Sequence, residues 1–124
     1  MKKRMLGKVF KVCEKDEWEN VKHNDFFEGS QIDRKDGFIH FSTSEQIKGT
    51  LENYFKSRSP LYLLEVNTDN LDIVWEVSRN KQQFPHLYEP LPLSSVTKVY
   101  NIFLDNEGNH IISDRAIYVR NRYN

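Results

Sequence analysis

Asp36-Gly37-Phe38-Ile39-His40-Phe41-Ser42-Thr43 is the stretch on which the reading of this chain turns. Side chains alternate along a strand, so Phe38, His40 and Ser42 share one face and Ile39 and Phe41 the other. Residues 37–42 are therefore expected to form a strand. Thr43 then has the character of a helix N-cap, with Gln46 at the third helical position as in a capping box. A helix is predicted from Ser44 to Ser57, with Ile47, Leu51, Tyr54 and Phe55 as its buried stripe. Gly49 inside it costs about 1 kcal/mol relative to alanine, and Pro60 follows its end.

Upstream, the β-branched and aromatic residues of 7–13 predict a strand. The charged segment 14–23, with Trp18 and Val21 three apart, predicts a short helix with one apolar face. Residues 24–36, rich in Asn, Asp, Gly and Ser, read as a loop. Downstream, 61–67 is nearly continuous apolar sequence and reads as a central strand. Residues 72–77 read as a shorter one. Residues 78–93 carry three of the four prolines and read as irregular but ordered. Ser95 to Leu104 is a strand, Asp105-Asn106-Glu107-Gly108 a turn, and 109–119 its hairpin partner, whose edge is open to pairing in a dimer. The order β-α-β-α-β-β-loop-β-β is an α+β pattern.

At 124 residues the chain fits one domain. Lys+Arg and Asp+Glu are equal at 18 each, so no overall charge commits it to nucleic acid. The single cysteine, Cys13, rules out an intrachain disulfide; a reducing cytoplasmic setting fits best. Cys13 reads as a small buried apolar residue. The N-terminus is not a signal peptide, and no run approaches ~20 apolar residues, so no membrane helix is expected.

Two histidines sit in apolar and aromatic settings, each with a hydroxyl residue two positions on: His40 with Ser42, and His86 with Tyr88 in Phe84-Pro85-His86-Leu87-Tyr88. Imidazole donates or accepts at neutral pH, which suits a ribose hydroxyl or an amide. The free N–H groups expected at Ser44 to Gln46 would draw a phosphate or carboxylate. The plainer reading of His40 is a ring tied to the backbone inside the core. Glu76, in Trp75-Glu76-Val77-Ser78-Arg79, is either an edge-strand glutamate in water or a buried carboxylate paired with Arg79 or His86, able to act as a base. Phe84 and Tyr88 either stack on a flat ring or belong to the core. The spacing of His40, Glu76 and His86 matches no short metal motif. Gly-rich phosphate loops and G-x-S-x-G elbows are absent. If one pocket holds both rings, they should lie within about 10 Å of each other, with His23 and His110 outside it.

Asp36 to Gln46, Leu63-Leu64-Glu65-Val66, Trp75-Glu76 and Phe84 to Tyr88 with Pro90-Leu91 together resemble the signature of the DUF952 family, in order and spacing, over roughly residues 8–104. The resemblance implies a single domain over 1–124, with a core of about 8–104 and a C-terminal hairpin extension of about 105–124. It also implies an ADP-ribosyltransferase-like fold: two small, mostly antiparallel sheets forming a cleft, with two helices in the N-terminal half. In that superfamily the cleft holds a bent nicotinamide dinucleotide, and an early strand supplies a residue that contacts the adenosine ribose; His40 with Ser42 matches that place. Tyr54 or Tyr62 stands for a tyrosine packed on nicotinamide. A glutamate on the final strand has no counterpart, and Glu76 comes too early for it. His40, Ser42, Glu76, His86 and Tyr88 then imply a related pocket with altered chemistry.

Two expectations follow. One is a transferase or hydrolase acting on NAD, ADP-ribose or a phosphorylated ribose, with His40, His86 and Glu76 catalytic and Ser42, Gln46, Arg79, Phe84 and Tyr88 binding the ligand. The other is a non-catalytic module that binds a small ligand in the same cleft. Neither involves a metal or a membrane.

Overall fold

The computed structural model describes residues 7–120, apart from the side chain of Arg79. Strand β1 spans Lys8–Glu14, helix α1 Lys15–Val21, β2 Phe26–Phe27, α2 Gln31–Asp36, β3 Ile39–His40, and α3 Ile47–Tyr54 after a 3-10 turn at Ser44–Gln46. Strands β4 (Leu61–Asn67), β5 (Ile73–Val77), β6 (Gln83–Leu87), β7 (Leu91–Pro92), β8 (Val96–Leu104), β9 (His110–Ile112) and β10 (Tyr118–Val119) follow. All pairings are antiparallel, so the class is α+β. No helix among the described residues is long and apolar enough to cross a membrane.

The larger sheet runs β1-β4-β8-β10, with β9 also on β8. β4 is its centre: Leu61 to Val66 are all buried, as a nearly continuous apolar run requires of a strand covered on both faces. On one face Val9, Cys13, Leu64, Val66 and Val99 meet Ile39, Phe41 and Leu87. On the other, Val12, Leu61, Leu63 and Ile102 pack under Ile47 and Leu51 of α3. Each such residue contributes roughly 1.5–3 kcal/mol of burial. Cys13 is fully buried and burial pushes its thiol pKa up, the behaviour of a packing residue. Trp18 of α1 is buried, and Val21 packs against the same core.

A second, three-stranded sheet has the order β3-β6-β5, and β2-β7 makes a third of two strands, so the described residues hold three sheets where two were expected. The middle strand of the three-stranded sheet lies in the segment 78–93, which the prolines had marked as irregular. In an antiparallel strand the N and C=O of one residue point to the same side. The Pro85 carbonyl accepts from Phe41 N–H at 3.0 Å, one residue past the end of β3. The donor that Pro85 lacks is thus missed only where that ladder has stopped.

Residues 24–36 are also not a loop throughout. They hold β2, which pairs with β7, and the six-residue α2. Ser30 caps α2, with the reciprocal capping bonds to Asp33, and Gly37 (φ 87°) ends it in the left-handed conformation. The N-terminal half therefore carries three helices among its described residues where two were expected. The helix predicted to reach Ser57 stops at Tyr54 and opens as a 3-10 turn. The C-terminal hairpin extension adds β9 and β10 to the far side of β8, so these strands belong to the main sheet; residues 121–124 lie outside the described part.

Candidate functional site

Phe41 is where the two sheets separate. Ile39 and His40 pair with Leu87 and His86 of β6. Two residues on, Ser42 exchanges both backbone hydrogen bonds with Phe10 of β1, each 2.8 Å. The chain thus passes from one sheet to the other, and a cleft of about 820 Å³ opens there. β1, β6 and the His40 segment form its floor, and residues of α2 and α3 its sides.

The register places His40 directly opposite His86, with ring centroids 5.4 Å apart, well inside the expected separation. Both line the cleft. Phe38 packs against both, its ring centroid 4.6 Å from His40, 4.3 Å from His86 and 5.1 Å from Tyr88. His23 and His110 do not line it.

Around His40 the wall is ionic. Nδ1 meets Asp33 Oδ1 at 2.6 Å, and Nε2 meets Asp36 Oδ2 at 3.1 Å. Asp33 is completely buried and accepts three further bonds: from the backbone N–H of His40 (3.2 Å), from that of Ser30 (2.9 Å) and from Lys11 Nζ (2.6 Å). Lys11 is itself buried on β1. Burial alone would raise the Asp33 carboxyl. Hydrogen bonds from His40 and Lys11, with the Lys11 charge, outweigh it and hold the group well below the usual carboxylate range. Gly29 (φ 98°) makes room for this carboxylate: a Cβ there would stand 2.6 Å from the Asp33 Cβ.

Around His86 the wall is more open. His86 is buried, and its Nδ1 meets Glu76 Oε1 at 2.6 Å. The Tyr88 hydroxyl donates to the same oxygen at 2.7 Å. Glu76 sits on β5, an edge strand, and its side chain is 39% exposed. Hydrogen bonds from His86 and then Tyr88 lower the Glu76 pKa, and the same Glu76 bond raises that of Tyr88. Among the described residues the one side-chain hydrogen bond of His86 is its Nδ1 contact with Glu76, and its ring lines the cleft. A carboxylate on one imidazole nitrogen fixes the tautomer and lets the other act as base and then acid.

The remaining expected residues divide. Ser42 and Phe84 line the cleft. The Ser42 hydroxyl is buried and shares a 2.7 Å hydrogen bond with Thr50. Gln46 does not line the cleft: its side chain caps Thr43 N–H (3.0 Å) and donates to Gln83 O (2.8 Å), so both ends are used in holding the turn. Tyr88 also faces away, into a shallow recess beside Gly37 and Pro90, because its hydroxyl is turned to Glu76. The Arg79 side chain lies outside the described part; among the described residues Glu76 pairs with His86 and Tyr88. Tyr54 lines the cleft, whereas Tyr62 is buried with its hydroxyl on Glu19.

Sequence reasoning missed Asp33, Lys11 and Asp36. The available signal was Gly29-Ser30 followed by Asp33 and Gly37, a capping box closed by a C-terminal glycine. Lys11 carried none, since only the β1 register brings it to Asp33.

The model of DUF952, described as a protein of unknown function, matches residues 12–99. The chain belongs to the DUF952 family. Asp33, His40, Glu76 and His86 all lie within the DUF952 match. The fold is similar to the crystal structure of protein CC0527 from Caulobacter crescentus, with a TM-score of 0.78 and 39% identity over 84% of this chain and 93% of that one. The solution NMR structure of the same protein gives 0.74 and 40% identity over 84% and 91%. No curated protein matches.

Proposed function

We propose that this DUF952 domain binds a nucleotide-type ligand, of the NAD or ADP-ribose kind, and acts on it as a transferase or hydrolase by acid–base chemistry at His86. The single observation that carries this is His86 itself: a ring that lines the cleft with its Nδ1 held on Glu76 at 2.6 Å. Nε2 would accept the proton of an attacking hydroxyl or water and return it to the leaving group, while Glu76 stabilises the imidazolium between the two steps. His40 would meet a ribose hydroxyl by exchanging its half-exposed Asp36 contact. The splayed junction of a five-stranded and a three-stranded antiparallel sheet supports a kinship with the ADP-ribosyltransferase architecture, and 820 Å³ is ample for a nucleotide.

Isothermal titration with NAD and ADP-ribose tests binding; the absence of heat from both, with folded protein, ends the proposal. Incubation with NAD followed by chromatography tests chemistry. Nicotinamide release that His86→Ala removes is the expected result.

One observation favours the non-catalytic reading. Every carboxylate lining the cleft already has a partner: Glu14 has Arg58, Glu17 the Glu14 N–H, Asp33 Lys11 and His40, and Asp36 His40. None is left unengaged to stabilise an oxocarbenium ion. Binding without nicotinamide release is the outcome that selects this reading.

A further inference from the structure

Among the described residues three cations line the cleft: Lys11, Lys35 and Arg58. Lys11 is buried against a buried carboxylate and is committed to the fold. Lys35 stands exposed on α2 with a flexible stem. Arg58 differs from both. Its backbone is fixed at each end: its N–H donates to Phe55 O at 2.9 Å, and its carbonyl accepts from His110 Nε2 at 3.0 Å. Its guanidinium lies 5.3 Å from the centre of the Phe55 ring and pairs with Glu14 through a single nitrogen. Both members of that pair are about half exposed and both line the cleft.

We propose that Arg58 is the anion-binding residue of the cleft, taking a phosphate or pyrophosphate group of the ligand in exchange for Glu14. The inference deepens the nucleotide reading above and rests on it for the identity of the whole ligand. An exposed ion pair contributes little to stability, so giving it up costs little. A guanidinium engages phosphate by two parallel N–H bonds where a lysine offers a point charge. The Phe55 ring and the doubly fixed backbone hold the side chain's base at the cleft, so less freedom is lost on binding. Glu14 then acts as a competitor that fills the site until a more highly charged oxyanion arrives. The same geometry gives His110 and strand β9 a purpose: they secure the Arg58 carbonyl from outside the DUF952 match, which ends at residue 99.

Calorimetric titration with inorganic pyrophosphate and, separately, with ADP-ribose tests the exchange in wild type, Arg58→Gln, Glu14→Gln and Lys35→Gln. Arg58→Gln should weaken both ligands roughly tenfold or more. Glu14→Gln should tighten both severalfold by removing the competing carboxylate. Lys35→Gln should change neither by more than about twofold. Pyrophosphate that fails to bind wild type, or equal affinities in wild type and Arg58→Gln, overturns the assignment, as does a loss that follows Lys35 instead. Pyrophosphate binding that depends on Arg58 with no heat from either ADP-ribose or NAD would leave the anion site standing and remove the nucleotide reading. ADP-ribose binding indifferent to Arg58 would do the reverse.

Discussion

Asp33 and Glu76 each meet a histidine Nδ1 at 2.6 Å, and the two rings they hold line one cleft, yet their surroundings set them different tasks. Asp33 is fully buried, its two oxygens shared among four donors, and the histidine it holds meets a second carboxylate on its other nitrogen. Glu76 is part-exposed on an edge strand; both of its donors converge on one oxygen, and the histidine it holds pairs with no second carboxylate among the described residues. A carboxylate saturated with donors and sealed from water is an anchor. One with spare acceptor capacity at the edge of a sheet can follow a proton moving through its neighbour.

Removing the anchor gives the largest effect. Asp33→Asn leaves Lys11 buried without a counter-charge and should destabilise the domain by about 3–5 kcal/mol in chemical denaturation. Its pH signature has a definite sign. The folded carboxyl is held below its ordinary value of 3.8, so its contribution is complete above that value. The contribution drains away as pH falls below 3.8 towards the depressed folded value. Wild-type stability should therefore drop across that acid range, and Asp33→Asn should lack this component. An unchanged acid limb in the variant would remove Asp33 from the role of anchor.

Gly29→Ala attacks the same anchor through the backbone. The added Cβ meets the Asp33 Cβ at 2.6 Å, at φ 98°, where side chains are strained whatever the space. A loss of about 2–4 kcal/mol is expected from strain and crowding together. The Glu76 wall shares no atom with this contact, so the His86 ring nitrogen shifts in NMR should stay as in wild type. Movement of those shifts would mean that the two walls are coupled after all.

These two walls were unequally legible in the sequence. The long elements were plain: the apolar run at 61–67 is β4 with the same bounds, and Ile47 and Leu51 do face the core from α3. His40 and His86 were legible as a pair because each sits in an apolar and aromatic setting, where a polar side chain needs a local reason. The anchor was not. Helix α2 has six residues, too few to show a 3.6-residue period, and only its caps betray it. Asp33 read as one more loop aspartate, and the bond that gives it meaning crosses to Lys11, brought near only by the tertiary fold. Strand β6 was hidden by Pro85, a residue that argues against central strands unless the neighbouring ladder stops beside it, as β3 does. The hydroxyls two residues past each histidine were noticed for a shared ligand role, but Ser42 bonds Thr50 and Tyr88 bonds Glu76.

Glu76→Gln tests the responsive wall. A glutamine can donate as well as accept, so the preference for a proton on His86 Nδ1 should be lost. Nitrogen-15 shifts of the neutral ring should then move from one dominant tautomer towards a mixture. If the cleft is catalytic, turnover should fall on the order of tenfold to hundredfold through loss of the correct tautomer. A ring that keeps its Nδ1 proton in the variant would show that something other than Glu76 orients it.

Tyr88→Phe is the mildest probe and the most discriminating, because it changes neither charge nor packing volume. The Tyr88 hydroxyl shares Oε1 with His86, so its removal returns acceptor capacity to the oxygen that the imidazole uses. The fold should not suffer, since the hydroxyl stands at an exposed edge. The Glu76 pKa should rise towards its ordinary value, since that bond is the second cause lowering it, after His86. A carbon-13 titration of the Glu76 carboxyl checks this. Any catalytic consequence should be small, roughly twofold to fivefold, and should leave the His86 tautomer unchanged. A shift of tautomer in Tyr88→Phe would move Tyr88 from tuning the carboxylate to orienting the ring, and would make the open wall a three-residue unit as tightly specified as the buried one.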